Sequence, residues 1–271
     1  MFAKNVEIDM NLANLEIRHS SQVASAICMR GMRRIKSRPV LIIPTIVMPV
    51  VLVISFTGAF SSLTRIEGYG TSNIYNWMAP YGALQGAVFA GLGSVGSSAD
   101  DLEQGFFDRL LLTPGSRFPL LVGTVGYSAC RALIPTTAVF LFSLALGMTV
   151  PGGLPAVVSL YIATSLLAVV FCLIGLIILY KMKTQRSLML MQVIAFGALF
   201  ISVGQVPQSF MDGWLKVAAR YNPITNVLEL SRQGFLGDVA WSTTWPGLLA
   251  LVSMILVSGA LAWRGLKRLA P

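Results

Sequence analysis

The chain has 271 residues, of which 55% are apolar and only 11% charged, with a mean hydropathy of +0.73, whereas a soluble domain carries about 25% charged residues. That composition excludes a large soluble domain and leaves room for several apolar helices of about 20 residues, each able to cross a hydrocarbon core of roughly 30 Å. The net charge of +9 does not point to nucleic acid, because most basic residues lie beside apolar segments.

In chain order, the N-terminal segment 1–39 comes first. It contains no apolar core of the signal-peptide kind, so the first apolar run is expected to stay as an anchor. From Arg18 to Arg38, Val23, Ile27, Met32 and Ile35 alternate with basic residues, among them Arg30, Arg33, Arg34, Lys36 and Arg38. This mixture suits an amphipathic helix lying in the membrane interface, apolar side down; a simple basic anchor before the first span fits equally well.

Residues 40–271 read as a transmembrane domain with six spans. They run from about Val40 to Phe60, Trp77 to Ser98, Phe118 to Met148, Leu154 to Tyr180, Leu188 to Val206 and Trp245 to Trp263. The third is overlong, with a tilt or break expected near Pro135. Without the alternating pattern of a barrel, these segments must be helices, since lipid satisfies no backbone groups. The fold class is therefore an all-α, multi-pass integral membrane protein.

Lys and Arg collect in the N-terminal segment, the second-to-third connection (Arg109, Arg117), the fourth-to-fifth (Lys181, Lys183, Arg186) and the tail (Arg264, Lys267, Arg268). The other side holds only Arg65, Lys216, Arg220 and Arg232. Both termini are thus expected on the cytoplasmic side. The outer connection before the last span carries Phe210, Trp214, Val217 and Tyr221 at helical spacing, a break at Asn222-Pro223, then a segment with Glu229 and Arg232 at i+3. Two short helices over about 209–235, re-entering the outer leaflet, satisfy this pattern, as does an interfacial aromatic belt.

Gly91-Leu92-Gly93-Ser94-Val95-Gly96 matches a dinucleotide fingerprint letter for letter, but such a fingerprint needs a strand before it and a helix after it. Here it lies within a stripe of Gly82, Gly86, Ala90, Ser94 and Ser98 that suits close helix packing in lipid. The only histidine is His19, no serine sits in a G-x-S-x-G elbow, and no cluster of ligands suggests a metal. The chain is not expected to be an enzyme by itself. Cys28, Cys130 and Cys172 read as packing residues. No acid falls in a span, which argues against ion-coupled transport. Arg131 is the sole charge within one: either a functional group, or a residue that snorkels or bonds carbonyls freed near Pro135.

The stretch Asp100 to Arg117, DDLEQGFFDRLLLTPGSR, concentrates four of the 11 acids. Asp100 and Glu103 have capping-box spacing and Asp101 adds an acid, as at a helix start. Leu102, Phe106 and Leu110 then share one face, and Pro114-Gly115 ends the helix. The reading is a short amphipathic helix over 100–114 that docks on a cytoplasmic partner.

This stretch is similar to the cytoplasmic signature of ABC-2 type permeases of the daunorubicin-resistance type. Asp101, Leu102, Gly105, Asp108, Arg109, Pro114, Ser116 and Arg117 stand at matching positions, while Leu111 departs from a frequent basic residue. Asn222, Pro223, Thr225 and Arg232 resemble the family's pattern before its last span. The resemblance implies one permease of an exporter for drugs, lipids or other amphipathic molecules, paired with a second, identical or homologous permease in the cell membrane. It also implies separate ATP-binding cassette subunits, because this chain has no phosphate loop; ATP and Mg would sit on them, and no cofactor on this chain. Residues 100–114 would be the coupling helix, Arg18 to Arg38 the connecting helix and 209–235 the re-entrant helices. A membrane scaffold that recruits a cytoplasmic partner, or an ATP-independent channel or carrier, is the alternative.

Overall fold

The computed structural model describes residues 2–105, 117–202, 204–237 and 239–269, and within its first helix the side chains of Arg18 and of Ser20 onward. All regular structure among them is helical: α1 (Phe2–Ser37), α2 (Ile43–Phe60), α3 (Ile74–Glu103), α4 (Phe118–Ala145), α5 (Gly153–Met182), α6 (Ser187–Phe200), α7 (Gly213–Tyr221), α8 (Pro223–Leu236) and α9 (Trp241–Arg268). Short 3-10 turns at Pro39–Leu41 and Ser61–Arg65 flank α2.

Four segments are long and apolar enough to cross a membrane: Pro39–Arg65, Phe118–Ala145, Gly153–Met182 and Trp241–Arg268. They coincide with the expected first, third, fourth and sixth spans. The expected break in the third does not occur, because α4 runs as one helix with Pro135 inside it. The proline ring packs into the space left by Gly86, where a Cβ would stand 2.7 Å from the Pro135 Cβ. The fifth expected span is cut short: α6 has 14 residues, about 21 Å at 1.5 Å per residue. The chain leaves the helix at Phe200 and turns toward α7.

At 30 residues, α3 is long enough to cross but is too rich in Gly, Ala, Ser and Gln to count as apolar. It does not need to be, since most of its surface is covered by protein. A Cβ on Gly91 would come within 2.6 Å of the Ala168 carbonyl oxygen on α5, and one on Gly82 within 2.3 Å of a Val53 methyl on α2. The small residues let three neighbours approach this closely. Around α3 the core continues through Leu84, Leu167, Leu176, Leu228 and Leu251, all wholly buried.

One polar side chain in α3 stands apart. Gln85 is 1% exposed, and neither its amide nitrogen nor its oxygen has a hydrogen-bond partner among the described residues. It lies beside Phe89, Phe196 and Leu199 in a crevice between α3 and α6. A buried, unsatisfied amide costs about 1–3 kcal/mol. Gln85→Met is therefore expected to stabilise the chain by about 1 kcal/mol, seen as a higher melting temperature in detergent. A lower one would show that the amide has a partner after all.

Candidate functional site: an ionic clamp and a buried arginine node

The acids at 100–103 do not begin a helix. They form the last turn of α3, which ends when Gln104 closes back on the Asp100 carbonyl and Gly105 takes a left-handed φ of +68°. The capping-box reading is thus corrected. Nothing in Ser97-Ser98-Ala99-Asp100 interrupts the helix, whereas Gly105 adopts the positive φ that L side chains resist. At a helix C-terminus, carboxylates face the negative end of the macrodipole, an arrangement disfavoured by about 0.3–1 kcal/mol each. Cations must compensate.

They come from α1. Arg30 makes a bidentate pair with Asp101, both contacts at 2.8 Å. Arg34 pairs with Asp100, reaches Asp101 at 3.5 Å and donates to the Ser97 carbonyl at 3.2 Å. A third segment joins through the α5–α6 loop: the Gln185 side chain donates to Asp100 at 2.7 Å and its backbone N–H to Glu103 at 3.0 Å. The pair made by Arg34 is the better protected, with 18% of its side chain accessible against 46% for Arg30. Arg33, Lys36 and Arg38 stay exposed.

The connecting segment itself differs from expectation. α1 extends from Phe2 to Ser37, well beyond Arg18, and its inner side packs on α4 rather than facing only lipid. A Cβ on Gly123 would meet the Ala24 carbonyl at 2.7 Å, and one on Gly31 would meet the Tyr127 ring at 2.6 Å. Cys28 lies next to Cys130 across this seam, and burial together with that neighbour raises the Cys28 thiol pKa. Both thiols are free.

Arg131 is buried in α4, and the carbonyl it reaches is not one near Pro135. Its guanidinium donates to the Tyr127 hydroxyl at 3.0 Å and to the Leu41 carbonyl at 3.1 Å, in the turn between α1 and α2. Gly93 makes room, since a Cβ there would stand 2.5 Å from an Arg131 nitrogen. The residue that looked like a lone membrane charge is a tie between α4 and the elbow that carries the connecting helix. Two members of the fingerprint-like run, Gly91 and Gly93, thus serve helix packing.

About 35 Å away along α3, the other end of the molecule is organised by Arg232. The two short helices expected there form as α7 and α8, with Asn222 between them: its side chain accepts from the Ile224 N–H at 3.0 Å and donates to the Ala198 carbonyl at 2.6 Å. Pro223 follows at the first helical position, where no N–H is required. Trp214 on α7 is exposed. Arg232, 2% exposed, lays its guanidinium 3.8 Å from the Trp77 ring centroid and donates to the Gly204 carbonyl at 2.8 Å. Burial lowers its pKa, with Tyr69 and Glu229 opposing the shift. Glu229, although its side chain reaches solvent, shows the converse: partial burial raises its pKa and the Arg232 charge opposes the rise.

Sequence reasoning placed Asp101, Arg30, Arg34 and Arg232 among the functional residues without finding what they touch. It missed Gln185, Tyr127 and Trp77, whose partners lie far along the chain. Leu102 and Gly105 close α3, whereas Phe106, Asp108, Arg109, Leu110 and Pro114 lie outside the described residues, so the body of the expected coupling helix does too.

With this geometry in hand, the relatives become informative. A transport permease, ycf38, of Cyanophora paradoxa is 27% identical over 234 residues, covering 82% of this chain and 79% of that protein. Its namesake in Pyropia yezoensis is also 27% identical, over 226 residues, covering 82% and 77%. The daunorubicin resistance ABC transporter permease protein DrrB1 of Streptomyces coeruleorubidus is 24% identical over 238 residues, covering 84% and 80%. The sequence profile of one family spans residues 22–236, from the connecting helix to the end of α8. This multi-pass chain, the membrane subunit of a transporter, belongs to the ABC-2 type transporter family.

Proposed function

We propose that the chain is one permease of an ATP-driven exporter for amphipathic molecules, drugs or lipids among them, working in the cell membrane with a second permease and two ATP-binding cassette subunits. In this reading all six expected segments, α3 and α6 included, lie in the membrane, α6 extended by the chain after it. Both termini are cytoplasmic, and α7 and α8 dip into the outer leaflet. The observation that carries it is the ionic clamp. A docking segment that begins at Gly105 continues from an α3 terminus gripped by the connecting helix and by the α5–α6 loop. A push delivered there by an ATPase reaches three elements at once.

ATP and Mg remain on the partner; this chain supplies the lever. Closure of the ATPase pair moves the coupling segment, α3 and α1 move with it, and Arg131 passes the displacement to the elbow before α2. This is coupling through a two-state element. The relative named for daunorubicin resistance supports a drug or similar amphipath as cargo.

The test is purification of the tagged chain from native membranes. Co-purification of a P-loop ATPase whose hydrolysis depends on this chain is the expected result. Reversal of the Asp108 and Arg109 charges should abolish that stimulation while leaving membrane insertion intact. A chain that returns no ATPase, or charge reversal without effect, sinks the reading in favour of a scaffold or an ATP-independent carrier.

A further inference from the structure

The end of the molecule opposite the clamp contains a cavity of about 310 Å³ lined by Trp77, Gln208, Glu229, Arg232, Leu236 and Thr243, among others. That volume lies at the lower limit of small-ligand sites, which run about 300–1,000 Å³ and combine apolar walls with a few converging polar groups. Its charges are asymmetric. Of the charged side chains among its described lining residues, Arg232 is buried with its guanidinium over the Trp77 ring, while Glu229 is exposed one turn earlier on the same helix. Side chains at that spacing sit about 5–6 Å apart at Cβ. A plain anion drawn to Arg232 meets Glu229, and a plain cation drawn to Glu229 meets Arg232. A molecule with a phosphate and an ammonium separated by a short linker matches this pair of charges in sign and spacing.

Depth in the membrane narrows the class. Trp214 on α7 and Trp241 and Trp245 at the start of α9 are exposed at 73%, 73% and 49%. Indoles of this kind concentrate at headgroup level, where one part of the ring is apolar and the other wet. Thr243, between Trp241 and Trp245, lines the cavity itself, so the cavity opens at the level where lipid headgroups lie. Leu236 and the wall from Trp77 provide apolar surface beside the polar groups.

We infer that this cavity binds the headgroup of a zwitterionic phospholipid bearing a primary ammonium, its phosphate toward Arg232 and its ammonium toward Glu229. A primary ammonium has three N–H donors for the carboxylate and the Gln208 side-chain oxygen; a quaternary one has none. The inference rests on this end standing at headgroup level, as proposed above, and not on an ATPase partner. The permease alone therefore tests it.

The experiment is native mass spectrometry of the full chain, purified without any ATPase and equilibrated with equal amounts of phosphatidylethanolamine and phosphatidylglycerol. The expected result is retention of phosphatidylethanolamine over phosphatidylglycerol by about tenfold, the size of one partly buried charged hydrogen bond. Glu229→Gln, an exposed change that the fold should tolerate, is expected to reverse the preference toward phosphatidylglycerol. Free phosphoethanolamine should compete only weakly. Equal retention of both lipids, an unchanged ratio in Glu229→Gln, or competition by free phosphoethanolamine equal to that of the lipid would each overturn the assignment.

Discussion

Arg34→Ala should lower ATP-coupled transport by about tenfold, the effect of losing one partly buried charge-assisted contact worth roughly 1.5 kcal/mol, while leaving the chain inserted and folded. Arg34 is the protected member of the clamp, bonded to Asp100, Asp101 and the Ser97 carbonyl. Its removal leaves Asp100 without a cation at the negative end of the α3 dipole, while Asp101 keeps Arg30. Arg30 cannot replace it, because it already engages Asp101 and is more exposed, so a smaller loss, about twofold, is expected from Arg30→Ala. The decisive measurement is the ratio of substrate moved to ATP hydrolysed in vesicles. Arg34→Asp combined with Asp100→Arg should recover part of that ratio, which a loss of general stability would not. An unchanged ratio in Arg34→Ala would remove the clamp from the transmission path.

A larger effect on folding is expected at Gly91. A Cβ there would stand 2.6 Å from the Ala168 carbonyl oxygen and 3.2 Å from the Cys172 nitrogen, so the obstacles are backbone atoms of α5 that cannot rotate away. Gly91→Ala should destabilise by about 3 kcal/mol, the upper end of overpacking, and Gly91→Val should abolish a monodisperse preparation. Gly96, at the end of the same G-x-G-x-x-G run, offers an internal control, since a Cβ there would meet only the Leu188 methyls, at 3.7 and 4.0 Å. Gly96→Ala should melt like the parent, within about 0.5 kcal/mol. If the two variants melt alike, the close α3–α5 approach is not what these glycines provide.

Four of the spans were legible because hydropathy is a local property, and so were the two short outer helices, divided where Asn222 caps and Pro223 starts a helix. The acids at 100–103 were misread for the same reason. Capping-box spacing is local, but whether a helix starts or ends there depends on what precedes it, and α3 arrives already formed. Arg30 and Asp101 are 71 residues apart in sequence and Arg131 and Leu41 are 90 apart. No periodicity announces such partners. Arg232 was visible as a motif position, but not as a guanidinium laid on Trp77, because that contact depends on α8 folding back against the start of α3.

The glycine- and serine-rich composition of α3 bears on how the protein is made. A helix of such modest hydropathy gains little from leaving the translocon alone, since its polar backbone and Gln85 are better accommodated by protein than by lipid. On the proposed layout, α3 must remain at the translocon until α4 and α5 emerge, and enter the bilayer together with them. Biogenesis of this subunit then depends on the order in which helices meet during synthesis, and a pause or truncation after α3 would strand a segment that neither lipid nor water retains.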